Sequence, residues 1–329
     1  MDLFFVLSGF LITRILLFSK AQPNYFKKFY AKRTLRIFPL YYGVLWIILI
    51  IIPLCGMILR GYTYQYGLTQ IFLWTYTINI AQLWIPNQIS LLGFGHAWSL
   101  CIEEQFYLGW PLLIKMLNIR RIRIACMIII GCAIISRIVL RWFNFSSTQI
   151  FFFTICHLDG LAIGSMLATF YVDDFGNACS PASWFHKNCL YGLFCSLLIL
   201  AVILVIDKGR LRGGLLSQVI GFSIIATSWG ALLAATLTSP NGSLLNNFFG
   251  LRFLGNLGKY SYGLYVFHPF VQEYTSNTVH YWVKLILGKS EFFLVLMCAG
   301  VFFVLSYLIS FLSFNLYEKK WLRLKAYFN

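Results

Sequence analysis

The chain has 329 residues, of which 60% are hydrophobic and 11% charged, and its formal net charge is +16. Soluble domains run nearer 45–50% apolar and about 25% charged, so a soluble globular enzyme, a disordered tail and a coiled coil are all excluded. Most basic residues sit in short loops between apolar segments, which is the positive-inside pattern of a membrane protein and not a nucleic-acid footprint.

The apolar runs fall at 2–18, 37–59, 69–86, 98–117, 124–141, 151–171, 189–206, 215–237, 259–277 and 291–314. A spanning helix needs about 20 mostly apolar residues. The pattern therefore predicts an all-α, polytopic integral membrane bundle forming one domain over 1–329. The loop after the first run carries Lys20, Lys27, Lys28, Lys32, Arg33 and Arg36. The loop at 115–123 carries Lys115, Arg120, Arg121 and Arg123, and the tail carries Lys319, Lys320, Arg323 and Lys325. All three are predicted to be cytoplasmic, the C-terminus with them. These anchors leave room for one crossing between residues 37 and 115, where two runs compete. The run at 69–86 is the more polar, with Thr69, Gln70, Thr75, Thr77, Asn79 and Gln82. It is read as re-entrant or interfacial on the outer side, leaving about nine spans. The polar stretches 172–188 and 238–258 then fall on the cytoplasmic side. None of the nine cysteines forms a C-x-x-C pair, and most lie in apolar runs, where cysteine packs as a small hydrophobe. Neither a disulfide framework nor a metal site is expected.

Polar residues inside such runs are functional suspects because burying them in lipid is costly. In the first run, Ser8-Gly9 allows close approach of another backbone; a nucleophilic serine would need a base, and none is adjacent in sequence. Arg33 and Arg36, three apart, share a helical face. Their planar forks suit phosphate, although from spacing alone topology anchoring or lipid headgroup contact is the better account. The segment 96–107 reads His-Ala-Trp-Ser-Leu-Cys-Ile-Glu-Glu-Gln-Phe-Tyr. On a helix Ser99, Glu103 and Phe106 share a face and Glu104 points about 100° away. A helix N-terminus would also favour carboxylates, but Glu103 lies more than a turn inside the run. In His157-Leu-Asp159-Gly, the aspartate needs a partner at that depth, and an ion pair is as good a reading as a functional role. His268-Pro269 ends the run that begins near 259; the histidine is either a packing residue or a proton carrier.

Together these segments resemble the family-3 membrane acyltransferases, O-acyltransferases of bacterial cell-surface glycans. The matching residues are Asp2-Leu-Phe-Phe-Val-Leu-Ser8-Gly9-Phe-Leu-Ile and the Arg33-x-x-Arg36-Ile-Phe-Pro39-x-Tyr41 loop. Further along come Trp98-Ser-Leu-Cys-Ile-Glu103-Glu-Gln-Phe-Tyr-Leu, Leu158-Asp159-Gly-Leu-Ala-Ile-Gly164 and Ser261-Tyr-Gly-Leu-Tyr-Val-Phe-His268-Pro269. The resemblance implies transfer of an acyl group, most often acetyl, from acyl-CoA to a sugar hydroxyl of a polysaccharide or lipid-linked sugar, in the bacterial inner or plasma membrane. It makes Arg33 and Arg36 part of the acyl-CoA site. Glu103, Trp98 and His268 become the catalytic candidates, with Ser8, Gly9 and Asp159 as supporting residues. Acyl-CoA is the donor substrate, no bound cofactor or metal is implied, and membrane lipids are the other partner.

The chain departs from the family in two respects. Family members begin with a further spanning helix ending near a histidine regarded as the catalytic base, and this sequence starts just after that helix's place. An N-terminally incomplete or inactive protein is therefore expected. His157 also stands where relatives usually carry arginine. No soluble domain is expected after residue 314. The rival readings are a transporter or flippase of lipid-linked glycan, since intramembrane carboxylates also mark transport pathways, and an inactive relative. A transporter often shows a repeated half, and no repeat is visible.

Overall fold

The computed structural model describes residues 1–51, 54, 70–84, 91–179, 183–211, 213–287 and 291–328. The described residues are helical throughout apart from turns and an isolated antiparallel bridge between Val172 and Ala178. Among the described residues, six helices are long and apolar enough to cross a membrane: Asp2–Ser19, Tyr25–Ile51, Ile119–Trp142, Phe185–Ile206, Ser217–Leu237 and Phe292–Phe328. Their outward faces are apolar. Along Asp2–Ser19, for example, Phe4, Leu11, Ile15 and Phe18 are exposed, as expected where the solvent is hydrocarbon. The protein is thus a polytopic helical membrane protein.

The chain divides into two compact units. Unit 1 comprises Met1–Phe26, Thr75–Asn87 and Trp98–Phe249; unit 2 comprises Lys27–Trp74, Gln88–Ala97 and Gly250–Asn329. Within unit 1 the helices are α1 (Asp2–Ser19), α4 (Ile78–Trp84), α5 (Trp98–Met116), α6 (Ile119–Trp142), α7 (Ser147–Phe152), α8 (Leu158–Ala168), α9 (Ser183–Ile206), α10 (Phe222–Leu237) and α11 (Leu244–Phe249). Unit 2 holds α2 (Tyr25–Trp46, which begins at the end of unit 1 and continues as a π turn, Ile47–Ile51) and α3 (Gln70–Trp74). It also holds α12 (Arg252–Leu287), α13 (Glu291–Ser313), a π turn (Phe314–Glu318), α14 (Lys319–Arg323) and a 3-10 turn (Leu324–Phe328).

Contacts in unit 1 fix the direction of each helix. Phe5 meets Trp98, Ser8 bonds Glu103, the Trp110 indole donates to Thr13, and the Lys20 ammonium donates to the Leu117 carbonyl. Both numbers rise together, so α1 and α5 are parallel. Arg137 meets Asp159 while Arg123 bonds Thr169, so α6 is antiparallel to α8. Ser223 near Asp159 and Gly230 beside Ile163 make α10 parallel to α8. Ser228–Ser196 and His186–Thr238 make α9 antiparallel to α10.

α1 and α8 cross through glycine. A Cβ added at Gly9 would collide with the Leu161 carbonyl, and one at Gly164 with the Val6 carbonyl. Backbones this close exclude any side chain, the small-residue packing expected at Ser8-Gly9. The Ser165 hydroxyl adds a bond to the Gly9 carbonyl at 3.2 Å.

The parallel course of α1 and α5 bears on residues 69–86. Two parallel spans need an odd number of crossings between them, and α2 supplies one. Residues 70–84 form two short helices, α3 and α4, five and seven residues long, with Tyr76 at φ 55° between them. Neither is long enough to cross alone. A reporter fused after Trp84 is therefore expected on the side opposite the basic loops, matching one fused near Gly61, which lies outside the described residues. A signal after Trp84 on the side of Lys20 would mean that 69–86 spans.

One expectation is corrected. Residues 151–171 do not form a continuous spanning helix. A capping box from Ser146 and Gln149 starts α7, the backbone turns extended at Phe153, a 3-10 turn covers Thr154–His157, and α8 follows with eleven residues. That is about 17 Å of helix, short of a bilayer. The break is tolerated because the Cys156 carbonyl it frees accepts from the Arg137 guanidinium inside the protein.

The loops assigned by charge to one side converge at one end of unit 1. Lys115 donates to the Lys20 carbonyl, Asp174 accepts from the Ile119 amide at 2.7 Å, and Arg123 stacks over Phe170 at 4.2 Å. In the 172–179 turn, the Asn177 amide and side chain hold the Asp173 carboxyl below its ordinary range.

Candidate active site

Glu103 sits in the sixth position of α5, beyond the first turn, so the helix macrodipole does not account for it. Its Oε1 accepts from Ser8 at 3.1 Å and its Oε2 from Tyr107, one turn on, at 3.1 Å. Ser8 thus binds the carboxylate as well as lying in the packed α1 face. Deeper along the same pair of helices the Trp110 indole donates to Thr13 at 2.7 Å. Beside it, Gln105 donates to Asn79 at 3.0 Å and to the Tyr76 carbonyl at 3.1 Å, and accepts from Thr154 at 2.7 Å. Polar side chains in the interior of α4, α5 and α7–α8 therefore find one another, as they must in a medium without water.

Trp98 opens α5 and is buried against Phe5, Phe151, Phe152 and His157, with ring centroids 4.8–6.2 Å apart. His157 is also ringed by Phe5, Phe151 and Phe222, and its Nε2 is buried with no hydrogen-bond partner. Next to it lies the ion pair the Asp159 position called for. Arg137 of α6, wholly buried, meets Asp159 Oδ2 at 2.6 Å. Ser223 of α10 donates to the same oxygen at 2.6 Å, the Gly160 amide donates to Oδ1 at 2.9 Å, and Arg137 also reaches the Cys156 carbonyl, the Val219 carbonyl and the Ser223 hydroxyl. Asp2, at the start of α1, lies within electrostatic reach of both members. Arg137 was not singled out from the sequence, although a lone arginine amid Ile-Ile-Ser-Arg-Ile-Val carries its own signal. Asp159, Arg137, His157, Trp98 and Asp2 share the end of unit 1 opposite the basic loops.

In unit 2, Arg33 and Arg36 lie on the first half of α2, before Pro39. The Tyr262 hydroxyl of α12 donates to the Ile37 carbonyl at 2.7 Å, and Tyr317 donates to the Pro39 carbonyl at 3.1 Å. His268 is exposed on α12, its ring 5.4 Å from that of His96, which sits in the 3-10 turn Leu91–Ala97. His268 Nδ1 lies 2.9 Å from the Tyr265 carbonyl and 3.1 Å from that of Leu264. Carbonyls only accept, so Nδ1 is the donor in these contacts. His96 opens the 96–107 segment, 172 residues before His268, and only the fold brings the two rings together. Among the described residues, no group of three or more His, Cys, Asp or Glu is placed to hold a metal ion.

An intramembrane carboxylate held by hydroxyls and a buried Arg–Asp pair thus lie inside unit 1 of a polytopic helical membrane protein. Residues 1–314 match the acyltransferase domain family 3, and the chain belongs to that family. It is 29% identical over 287 residues to the peptidoglycan O-acetyltransferase OatA of Listeria monocytogenes, covering 81% of this chain and 43% of the relative. It is 27% identical over 296 residues to the O-acetyltransferase OatA of Staphylococcus aureus, covering 81% and 44%. The chain thus matches less than half the length of these relatives. No solved structure matches it.

Proposed function

We propose that the protein transfers an acyl group, acetyl in the first instance, from cytoplasmic acyl-CoA to a hydroxyl of a cell-surface polysaccharide or lipid-linked sugar. The observation that carries this reading is the family match over residues 1–314, and the relatives' O-acetyltransferase names point to acetyl and to glycan. In the reaction the sugar oxygen attacks the thioester carbonyl, the tetrahedral oxyanion collapses, and CoA leaves as the thiolate. The hydroxyl proton must go to a base. Arg33 and Arg36 bind the donor's phosphates from the cytoplasmic side, to which the C-terminus also belongs. Glu103, its charge held in place by Ser8 and Tyr107, handles the proton or stabilises positive charge near it. His268 offers Nε2 as an acceptor. Trp98 supports the acceptor-side wall, and Asp159 with Arg137 braces it.

Membranes carrying the protein, given acetyl-CoA labelled in the acetyl group, are expected to transfer label to envelope glycan. Movement of lipid-linked sugar across the membrane with no labelled product would overturn the reading in favour of transport. Arg33→Ala and Arg36→Ala are each expected to lower kcat/KM for acetyl-CoA by about tenfold or more while the protein still inserts, since each removes a charge-assisted hydrogen bond. Unchanged transfer by both variants would remove them from the donor site.

A further inference from the structure

The chain beyond residue 314, where the family match ends, continues the helical run Phe292–Phe328 beside the arginine helix. Tyr317 donates to the Pro39 carbonyl, and its ring lies where a side chain at Gly43 would point. Glu318, which accepts from Ser313 at 3.2 Å, lies within electrostatic reach of Arg36. Past α14, the turn Leu324–Phe328 presents Lys325, which is half-buried. Lys32, Arg33 and Arg36 all lie within electrostatic reach of its ammonium. Among the described residues, Glu318 and four cations are thus gathered from two stretches of chain nearly 300 residues apart in sequence.

A topology signal alone does not need this arrangement. Lysines that mark the cytoplasmic side act by number and position along the chain, and long side chains on a surface tail can spread apart into water. Here the tail is a helical run packed along α2, and a lysine is half-buried among like charges. Their mutual repulsion is unfavourable, and a multivalent anion seated among them reverses its sign. Arginine forks grip phosphate oxygens bidentately, whereas a lysine adds a point charge that can follow a second phosphate.

We propose that Lys325 joins Arg33 and Arg36 to form one site for the phosphates of a CoA-type nucleotide, making the C-terminal turn part of donor binding. This rests on the donor-site reading of the arginine pair. Anionic lipid headgroups present the same phosphate chemistry, so the test separates the two sources. The full chain is placed in phosphatidylcholine nanodiscs and, separately, in nanodiscs containing phosphatidylglycerol, and CoA binding is titrated for the wild type, Lys325→Ala, Lys325→Arg, Arg33→Ala and Arg36→Ala.

In phosphatidylcholine, Lys325→Ala is expected to weaken CoA binding about tenfold at an unchanged melting temperature. Lys325→Arg, which keeps the charge, is expected to retain most of the affinity. Unchanged binding by Lys325→Ala, with the arginine variants weakened, overturns the role of Lys325 and leaves the arginine site standing. Unchanged binding by all the variants, or no binding by the wild type, overturns the donor-site reading too. A Lys325 effect seen only with phosphatidylglycerol assigns the lysine to a lipid headgroup and overturns the proposal. If Lys325→Ala lowers the melting temperature, Lys325→Arg decides: full folding with weakened CoA binding overturns the role of charge, and retained binding supports it.

Discussion

Glu103→Gln is expected to lower acyl transfer by about 10²–10⁴-fold, the range associated with losing a positioned proton-transfer group, while Glu104→Gln costs far less. The two side chains differ by about 100° around α5, so they cannot both face one site. Glu103 is the one whose two oxygens accept from Ser8 and Tyr107. Glutamine keeps its size and an acceptor oxygen, and the hydroxyl facing its amide can rotate to accept. The substitution therefore removes charge and basicity with little change in packing. Initial rates of labelled acetyl transfer, measured on protein shown to insert, give the comparison. Equal losses for the two variants, or a larger loss for Glu104→Gln, would refute the face assignment. No loss for either would make both carboxylates structural.

Arg137→Leu is expected to destabilise the protein by about 3–5 kcal/mol, because it leaves Asp159 charged, buried and without its guanidinium. It also withdraws the donors that satisfy the Cys156 carbonyl at the α7–α8 break. Arg137→Leu/Asp159→Leu removes both charges and is expected to recover much of that loss, since most of the cost is the unpaired charge and not the missing attraction. Unfolding in detergent micelles measures both. A loss below about 1 kcal/mol for the single variant would mean that the pair is not structurally important, against the usual cost of an orphaned buried charge. Acyl transfer by the double variant then separates the two readings left open for Asp159. Retained transfer makes the pair a brace, and lost transfer in a stable protein gives it a part in the chemistry.

Much of the architecture was legible in the residues because the relevant signals are local. Hydropathy over about 20 residues marks spans, and lysine and arginine in short loops orient them. The alternating directions of the helices in unit 1 agree with that reading. The weakness of 69–86 as a span was visible in its threonines and amides, and the structure places two short helices within residues 70–84. Gly9 announced close packing, since only glycine lets two backbones approach so far, while the role of its counterpart Gly164 emerged only in the structure; Glu103 could be placed inside α5 by counting from Trp98. What depended on tertiary structure were the partners. Arg137 and Asp159 are 22 residues apart, Ser8 and Glu103 are 95 apart, and neither spacing carries a periodic signal. Which residue meets which is set by the axial register of helices packed side by side, and a shift of one turn would change every pair. The break at Phe153 has the same origin: residues 151–171 are apolar enough to continue as one helix, and the interruption persists because a guanidinium from another helix accepts the load of the freed carbonyl. The meeting of Lys325 with Arg33 and Arg36 likewise follows from the C-terminal helical run packing along α2, a long-range contact that composition and spacing do not encode.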